Sequence, residues 1–127
     1  MKLQNKTILN FLTADFRGKK LPLKLSFALK LNTDALKGPL NAYNEQRQEF
    51  IDKHAEKGED GHPVIKENNY VMKDQVAFLE DMNELLDMEV EANIKTVDLD
   101  TLEKCDLSEF DTLTVDEIEA IYFMISQ

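Results

Sequence analysis

The stretch Glu59–Asp74, EDGHPVIKENNYVMKD, lies between two long helical patterns and decides how the chain folds between them. Asp60-Gly61 and Asn68-Asn69 are typical turn pairs, since Gly and Asn adopt left-handed backbone conformations at little cost. Short β-rich runs, VIK and YVM, lie between and after them. The pattern therefore predicts a β-hairpin over about 63–72, which must pack on a helix or pair with another strand to be stable.

The same stretch is a poor candidate for a ligand loop. It lacks the alternating carboxylates and the final glutamate of a calcium loop, and the chain has no glycine-rich phosphate loop. His62 would have to join His54 and Glu56 to form a zinc site. Two histidines in a chain with 25 acidic residues come near carboxylates by chance. We therefore expect no metal and no cofactor.

Helical periodicity dominates the chain before the hairpin. Asn5 is placed to cap a short helix over about 6–16. Leu21-Pro22 then begins a helical segment that continues to about Lys57, because proline is preset for a first helical turn. Gly38-Pro39 interrupts this segment, since proline inside a helix removes a hydrogen bond and clashes with the preceding turn. The interruption is either a kink or a short break.

After the hairpin the period changes twice. Asp74 is placed to cap a helix with the sequence DQVAFLEDMNELLDME, and alternation then predicts a strand over about 89–97. The stretch that follows is irregular or holds a single helical turn. Thr114 and Glu117 form a capping box before a final helix. The residues expected on the inner face of that helix are Val115, Ile118, Ile121, Tyr122 and Ile125.

These elements predict a single α+β domain over residues 1–127, mainly helical, with one long helix that Gly38-Pro39 either kinks or briefly breaks. The hairpin at about 63–72 and the strand at about 89–97 are expected to form a small antiparallel sheet. A charge at Leu79 or Ile94 should then unfold the domain. The predicted core consists of Leu25, Leu29, Leu36, Leu40, Tyr43, Phe50, Phe78, Leu79, Met82, Leu86, Val90, Ile94, Ile118 and Ile121.

Charge divides the chain into two unequal halves, with a net charge of −10. Residues 1–73 carry 13 Lys and Arg against 9 Asp and Glu, whereas residues 74–127 carry 2 against 16. So acidic a chain repels nucleic-acid phosphates, which argues against direct binding to nucleic acid. The acidic half is either a solvated surface or a face for a basic partner. The candidate contact residues are Glu80, Asp81, Glu84, Asp87 and Glu91.

Residues with catalytic chemistry are scattered. Cys105 lies between Lys104 and Asp106 in an acidic stretch, which raises a thiol pKa and makes the thiol a poor nucleophile. The single cysteine excludes an intrachain disulfide. There is no apolar run of about 20 residues for a membrane span and no secretory signal at the start of the chain. We expect a non-enzymatic protein of the cytosol.

Several segments carry a family resemblance. They are the leucine-proline start of LPLKLSFALKLN, the stretch from Tyr43 to Arg47, the acidic-glycine turn, the ELLDMEVE junction and the apolar end of EAIYFMI. From Leu21 onward the chain resembles small proteins of tailed bacteriophages and prophages grouped as domain of unknown function 1617. The resemblance implies a phage origin and supplies no catalytic or ligand residues. Gly38-Pro39 departs from the more continuous helix of that family.

Three functions stay open at this point. The first is a non-enzymatic protein in the host cytoplasm that binds a host or defence protein through the acidic half, as an inhibitor or adaptor. The second is a virion or tail-assembly accessory protein, for which a homo-oligomer built on amphipathic helices is suitable. The third is a nucleic-acid mimic, which requires carboxylates spaced like phosphates. The sequence does not identify the partner or the oligomeric state.

Overall fold

Helices form most of the fold in the computed structural model, which describes residues 1–126. The predicted α+β class, mainly helical with small sheets, is confirmed. The helices are α1 (Asn5–Thr13), α2 (Leu23–Ala35), α3 (Lys37–His54), α4 (Gln75–Asp87), α5 (Leu99–Glu103) and α6 (Val115–Ile121). The strands are β1 (Lys2–Gln4), β2 (Ile65–Lys66), β3 (Asn69–Tyr70), β4 (Glu89–Glu91), β5 (Val97–Asp98) and β6 (Ile125–Ser126).

The predicted long helix is broken into α2 and α3 at Leu36, which has φ −95° and ψ 0°. Pro39 lies in the first turn of α3, where a missing N–H removes no hydrogen bond within the helix. The Leu36 N–H still donates to the Asn32 carbonyl, and the Leu36 carbonyl accepts from the Leu40 N–H, both at 3.0 Å. The side chain of Leu36 is fully buried. The interruption is therefore a break of one residue, held in the core.

Two of the predicted helix starts are confirmed by their side-chain caps. The Asp74 carboxylate accepts from the Ala77 N–H at 3.1 Å and begins α4. At α6, the Glu117 N–H donates to the Thr114 hydroxyl at 3.1 Å, and the Thr114 N–H donates to the Glu117 carboxylate at 2.9 Å. Each cap satisfies backbone donors that a helix leaves unpaired in its first turn.

The predicted cap of α1 is wrong. The helix begins at Asn5 itself, after Gln4, and ends at Thr13. Asn5 is buried, and its side-chain amide donates to the Leu85 carbonyl at 2.8 Å while its backbone N–H donates to the Met88 carbonyl. Asn5 therefore ties the start of α1 to the end of α4, a partner 80 residues away that local sequence does not reveal.

The opening stretch forms the predicted hairpin. Strands β2 and β3 pair antiparallel, and the turn between them consists of Glu67 and Asn68, which have φ of 52° and 66°. Positive φ at both central residues is the usual geometry of a two-residue hairpin turn. The turn therefore lies one residue before the predicted pair, Asn68-Asn69. The backbone of Glu56, just after α3, bonds to Val71 and Val64, so the hairpin is joined to the end of α3.

The predicted sheet is wrong in its pairing. Strand β4 pairs antiparallel with the N-terminal β1, with Leu3 opposite Val90, and it makes no sheet with the hairpin. Strand β5 pairs in parallel with β6, with Val97 opposite Ile125. The predicted strand at about 89–97 is therefore two short strands with different partners. Strands of two or three residues carry little periodic signal, which explains the error.

Two clusters of buried side chains form the core. The larger is built from α1, α2, the β1–β4 and β5–β6 pairs and the chain end, and includes Ile8, Leu25 and Ile121. The smaller lies between α3 and α4 and consists of Tyr43, Met82 and Leu85, with partly buried neighbours. None of the helices within residues 1–126 has both the length and the apolar character that a membrane span requires.

Most of the predicted core lies inside the fold. Leu25, Leu29, Leu36, Tyr43, Met82 and Ile121 are buried, and Leu40, Phe50, Phe78, Leu86, Val90, Ile94 and Ile118 are half-buried. The prediction for Leu79 is wrong, because its side chain is 47% exposed. Leu79 lies at the edge of the apolar face of α4, so we no longer expect a charge there to unfold the domain.

The predicted inner face of the last helix is wrong at two positions. Val115 is 80% exposed and Tyr122 is also exposed. Helix α6 ends at Ile121, and a 3-10 turn over Tyr122–Met124 then redirects the chain into β6. Helical periodicity no longer applies after Ile121. The side chain of Met124 is therefore buried, whereas that of Tyr122, which was predicted to face inward, is exposed.

Candidate functional site

Helix α4 carries four of the five predicted acidic residues, and β4 carries the fifth. Glu80, Glu84 and Asp87 are exposed and follow one another at steps of four and three, so they share one face of α4. Asp81 is half-buried on the side of α4 that faces α3, and Glu91 is exposed at the end of β4. The five residues therefore do not form one continuous surface.

Two of the exposed carboxylates are paired with the N-terminal half. Asp87 lies 3.0 Å from the Lys6 ammonium, and Glu91 lies 2.7 Å from the amino group of Met1. Both pairs are largely open to water, so each contributes little to stability. They nevertheless place a cation beside each carboxylate and reduce the negative potential at this end of the acidic face.

Asp81 joins α4 to the end of α3. Its Oδ2 lies 2.6 Å from His54 Nε2 and 3.7 Å from Lys53 Nζ. An ionised carboxylate can only accept, so the imidazole N–H donates. This hydrogen bond, with the charge of Lys53 beside it, holds the pKa of Asp81 below its ordinary value. Phe78 packs edge-on against the His54 ring, with centroids 6.1 Å apart, so the ring is covered on that side.

A groove of about 420 Å³ lies beside Asp81 and Glu84, between α3 and α4. A mostly apolar cleft with few polar groups is typical of a binding site. A larger depression of about 500 Å³, between the end of α1 and α2, contains none of the five predicted contact residues. The groove is lined by Pro39, Ala42, Tyr43, Phe50, Leu85, Met88 and Val90, with Asn5, Gln46, Asp81 and Glu84 as its polar members.

The polar members of this groove differ in whether they are already bonded. The amide of Asn5 is bonded to Leu85, and the carboxylate of Asp81 is bonded to His54. Within residues 1–126, Glu84 and Gln46 make no side-chain hydrogen bond or ion pair. The groove therefore offers an apolar floor with one unpaired carboxylate and one unpaired amide at its edge.

Charge beyond the groove stays largely unneutralised. Of the 16 Asp and Glu side chains after Lys73, four lie in ion pairs, namely Asp81, Asp87, Glu91 and the Glu117–Lys19 pair at 3.1 Å. Within the part of the chain that the structure describes, the other twelve make no salt bridge. All twelve are exposed. The acidic half therefore presents a broad negative surface around the groove.

Reactive chemistry has little support in the described residues. Cys105 is buried, and this burial, followed by the charge of Asp106, raises the pKa of its thiol. A thiol with a raised pKa is a weak nucleophile at neutral pH. No three His, Cys, Asp or Glu side chains among residues 1–126 are placed to hold a metal ion. His54 bonds to Asp81, while His62 lies exposed in the loop before the hairpin.

The groove was not predicted from the sequence, although part of its signal is present there. Tyr43, Gln46 and Phe50 recur at steps of three and four, which places them on one face of α3. What the sequence does not show is that this face lies against α4 beyond the hairpin. Met88 and Val90 complete the groove only because β4 pairs with β1.

Comparisons with protein-family models, with curated proteins and with solved structures find no match for this chain. The similarity to a phage family therefore stays a prediction from the sequence.

Proposed function

We propose that this protein is a non-enzymatic, phage-encoded protein that binds a protein partner in the host cytoplasm during infection. In this proposal it acts on a host or defence protein as an inhibitor or adaptor, without a cofactor. The observation that carries the proposal is the surface of twelve exposed carboxylates after Lys73 that make no salt bridge within residues 1–126. The phage origin is supported by the resemblance of the sequence from Leu21 onward.

An unneutralised acidic surface favours a basic partner. Negative potential steers a basic protein toward the surface and raises the association rate, and salt screens this attraction. The groove between α3 and α4 would supply the apolar part of the contact, where a buried anchor side chain contributes most of the affinity. An arginine beside such an anchor matches the unpaired carboxylate of Glu84, since guanidinium binds carboxylate with two parallel hydrogen bonds.

A pull-down from infected and uninfected host lysates, at low and moderate salt, tests this proposal. We expect one stoichiometric protein whose capture falls as salt rises. Glu80→Lys with Glu84→Lys should reduce capture and flatten its salt dependence, because both carboxylates lack an internal cation. The matched control is Glu45→Lys with Glu49→Lys on α3, which makes the same charge change at the same spacing on an exposed face.

The proposal fails if the two double variants capture the partner equally well and with the same salt dependence. In that case the acidic face of α4 does not make the contact. Capture of phage structural proteins alone would instead support the assembly function.

An accessory role in virion or tail assembly is the second candidate. Its support is the exposed apolar side of α2, which includes Leu23 and Phe27 and suits contact with other subunits. Mass spectrometry of purified particles tests it, since a virion component must appear there. Nucleic-acid mimicry is supported less, because the pairing of Asp87 with Lys6 and of Glu91 with Met1 interrupts the row of carboxylates.

A further inference from the structure

Helix α2 is apolar on two sides. Leu25, Ala28 and Leu29 face the core and are buried. On the outer side Leu23 is 81% exposed and Phe27 is 55% exposed, and Leu31 follows four residues later, also exposed. These three side chains form what we call the α2 stripe, about 12 Å long at the helical rise of 1.5 Å per residue. Contiguous exposed apolar side chains of this kind commonly mark an interaction surface.

Exposed lysines lie beside the α2 stripe. Lys20, Lys24 and Lys30 are all exposed, and none of their ammonium groups makes a salt bridge within residues 1–126. A partner for the stripe therefore needs an apolar surface with carboxylates around it. Two copies of the stripe placed against each other would instead bring lysines together, and like charges in an interface are costly.

The acidic half of the same chain provides such a surface. An open groove of about 490 Å³ lies between α1 and the α6 region and is lined by Thr7, Val115, Ile118, Glu119, Tyr122 and Phe123. We call it the α6 groove. Val115 is 80% exposed at its edge. Glu119 lines this groove, is exposed and makes no salt bridge in the described part of the chain.

We propose that the α2 stripe of one copy of this chain binds the α6 groove of a second copy. Apolar side chains meet in the centre, and the lysines beside the stripe meet the carboxylate of Glu119 at the groove. Because stripe and groove are different surfaces, the first copy keeps its groove free and the second copy keeps its stripe free for further copies. Such a heterologous contact builds a ring or an open chain of subunits. The contact uses Glu119 of the acidic surface but leaves the groove between α3 and α4 and the carboxylates of Glu80 and Glu84 free, so its test is separate from that of the proposed function.

Two single variants test this contact. Phe27→Glu places a carboxylate in the stripe, where it would meet the acidic groove, and Val115→Lys places an ammonium in the groove, where it would meet the basic stripe. Both side chains are exposed, so the fold should be kept, which circular dichroism checks. Sedimentation velocity should show concentration-dependent association for the wild-type chain and monomers for each variant. Ile65→Glu, at an apolar residue 59% exposed in the hairpin, is the matched control and should associate like wild type.

Mixing the two variants decides whether the contact is heterologous. Phe27→Glu retains an intact groove and Val115→Lys retains an intact stripe, so an equimolar mixture should form 1:1 dimers where each variant alone is monomeric. Higher salt should weaken this association. Leu23→Glu replaces Phe27→Glu should the latter misfold.

Three outcomes would overturn the proposal. A wild-type chain that stays monomeric up to about 1 mM has no self-contact of useful affinity. A Val115→Lys variant that associates like wild type shows that the stripe pairs with some other surface. A mixture that remains monomeric, although each variant alone has lost association, shows that stripe and groove do not meet.

Discussion

Helices α2 and α4 both have 13 residues, and seven of them in each helix are apolar, yet the two helices distribute these residues differently. From Phe78 onward, the apolar residues of α4 mostly gather on one side, and the opposite side carries acidic residues such as Glu80 and Glu84. In α2 the apolar residues lie on two sides. Leu25 faces the core, while Leu23 faces away from it.

This difference separates the requirements of folding from those of association. A helix with one apolar face needs no further contact once that face is buried, because water solvates its polar side. A helix that is apolar all round is normally buried on all sides. No element within residues 1–126 covers the outer side of α2, so its inner side serves folding, and its outer side is the one that we propose binds a second copy.

Alanine at Leu25 and at Leu23 should give the largest contrast between the two sides of α2. Leu25 is fully buried, and a buried Leu→Ala change costs about 2–5 kcal/mol of unfolding free energy. Leu23 is mostly exposed, so Leu23→Ala should change the unfolding free energy by less than about 0.5 kcal/mol. Urea denaturation of both variants measures the difference. Similar losses would mean that the outer side of α2 is covered within the monomer.

The one polar side chain buried on the inner side of α2 is that of Asn32. Its amide donates to the Lys95 carbonyl at 2.9 Å and accepts from the Lys95 N–H at 2.7 Å. Asn32→Ala removes both bonds and should cost about 1–3 kcal/mol, because two backbone groups lose their partner. Asn83→Ala, on the exposed side of α4, is the matched control and should be nearly neutral. A neutral Asn32→Ala would show that water replaces the side chain at Lys95.

The parts of the fold that sequence predicted depend on contacts within a few residues. Asp74 caps α4 through the Ala77 N–H, and Thr114 and Glu117 bond to each other across three positions. Pro39 prevents one continuous helix, because it has no N–H to donate to the residue four positions before it and its ring clashes with the preceding turn. Such signals can be read locally, which is why the helices, the hairpin and the interruption near Gly38-Pro39 were predicted while their exact ends were not.

The parts that sequence missed depend on partners far along the chain. Val90 pairs with Leu3 because the N-terminal strand crosses to β4, and the alternation around residue 90 does not show that partner. The acidic site was divided for the same reason. Asp81 meets His54, and Glu91 meets the amino group of Met1, so residues that look equivalent in sequence differ in charge environment.

Asp81 should give the smallest of these effects, because part of its carboxylate faces water. Its pKa in the folded chain lies below the ordinary value of 3.8, chiefly through the hydrogen bond from His54. A carboxylate with a lowered folded pKa stabilises the fold above its unfolded pKa, and this contribution disappears as pH falls through the folded pKa. The unfolding free energy of wild type relative to Asp81→Asn should therefore be level above about pH 4 and shrink below it.

Glu80→Gln, which removes a carboxylate that makes no ion pair or hydrogen bond within residues 1–126, is the control for loss of one charge. A difference from Asp81→Asn that stays level down to about pH 2 would show that the His54 bond does not favour the ionised form of Asp81.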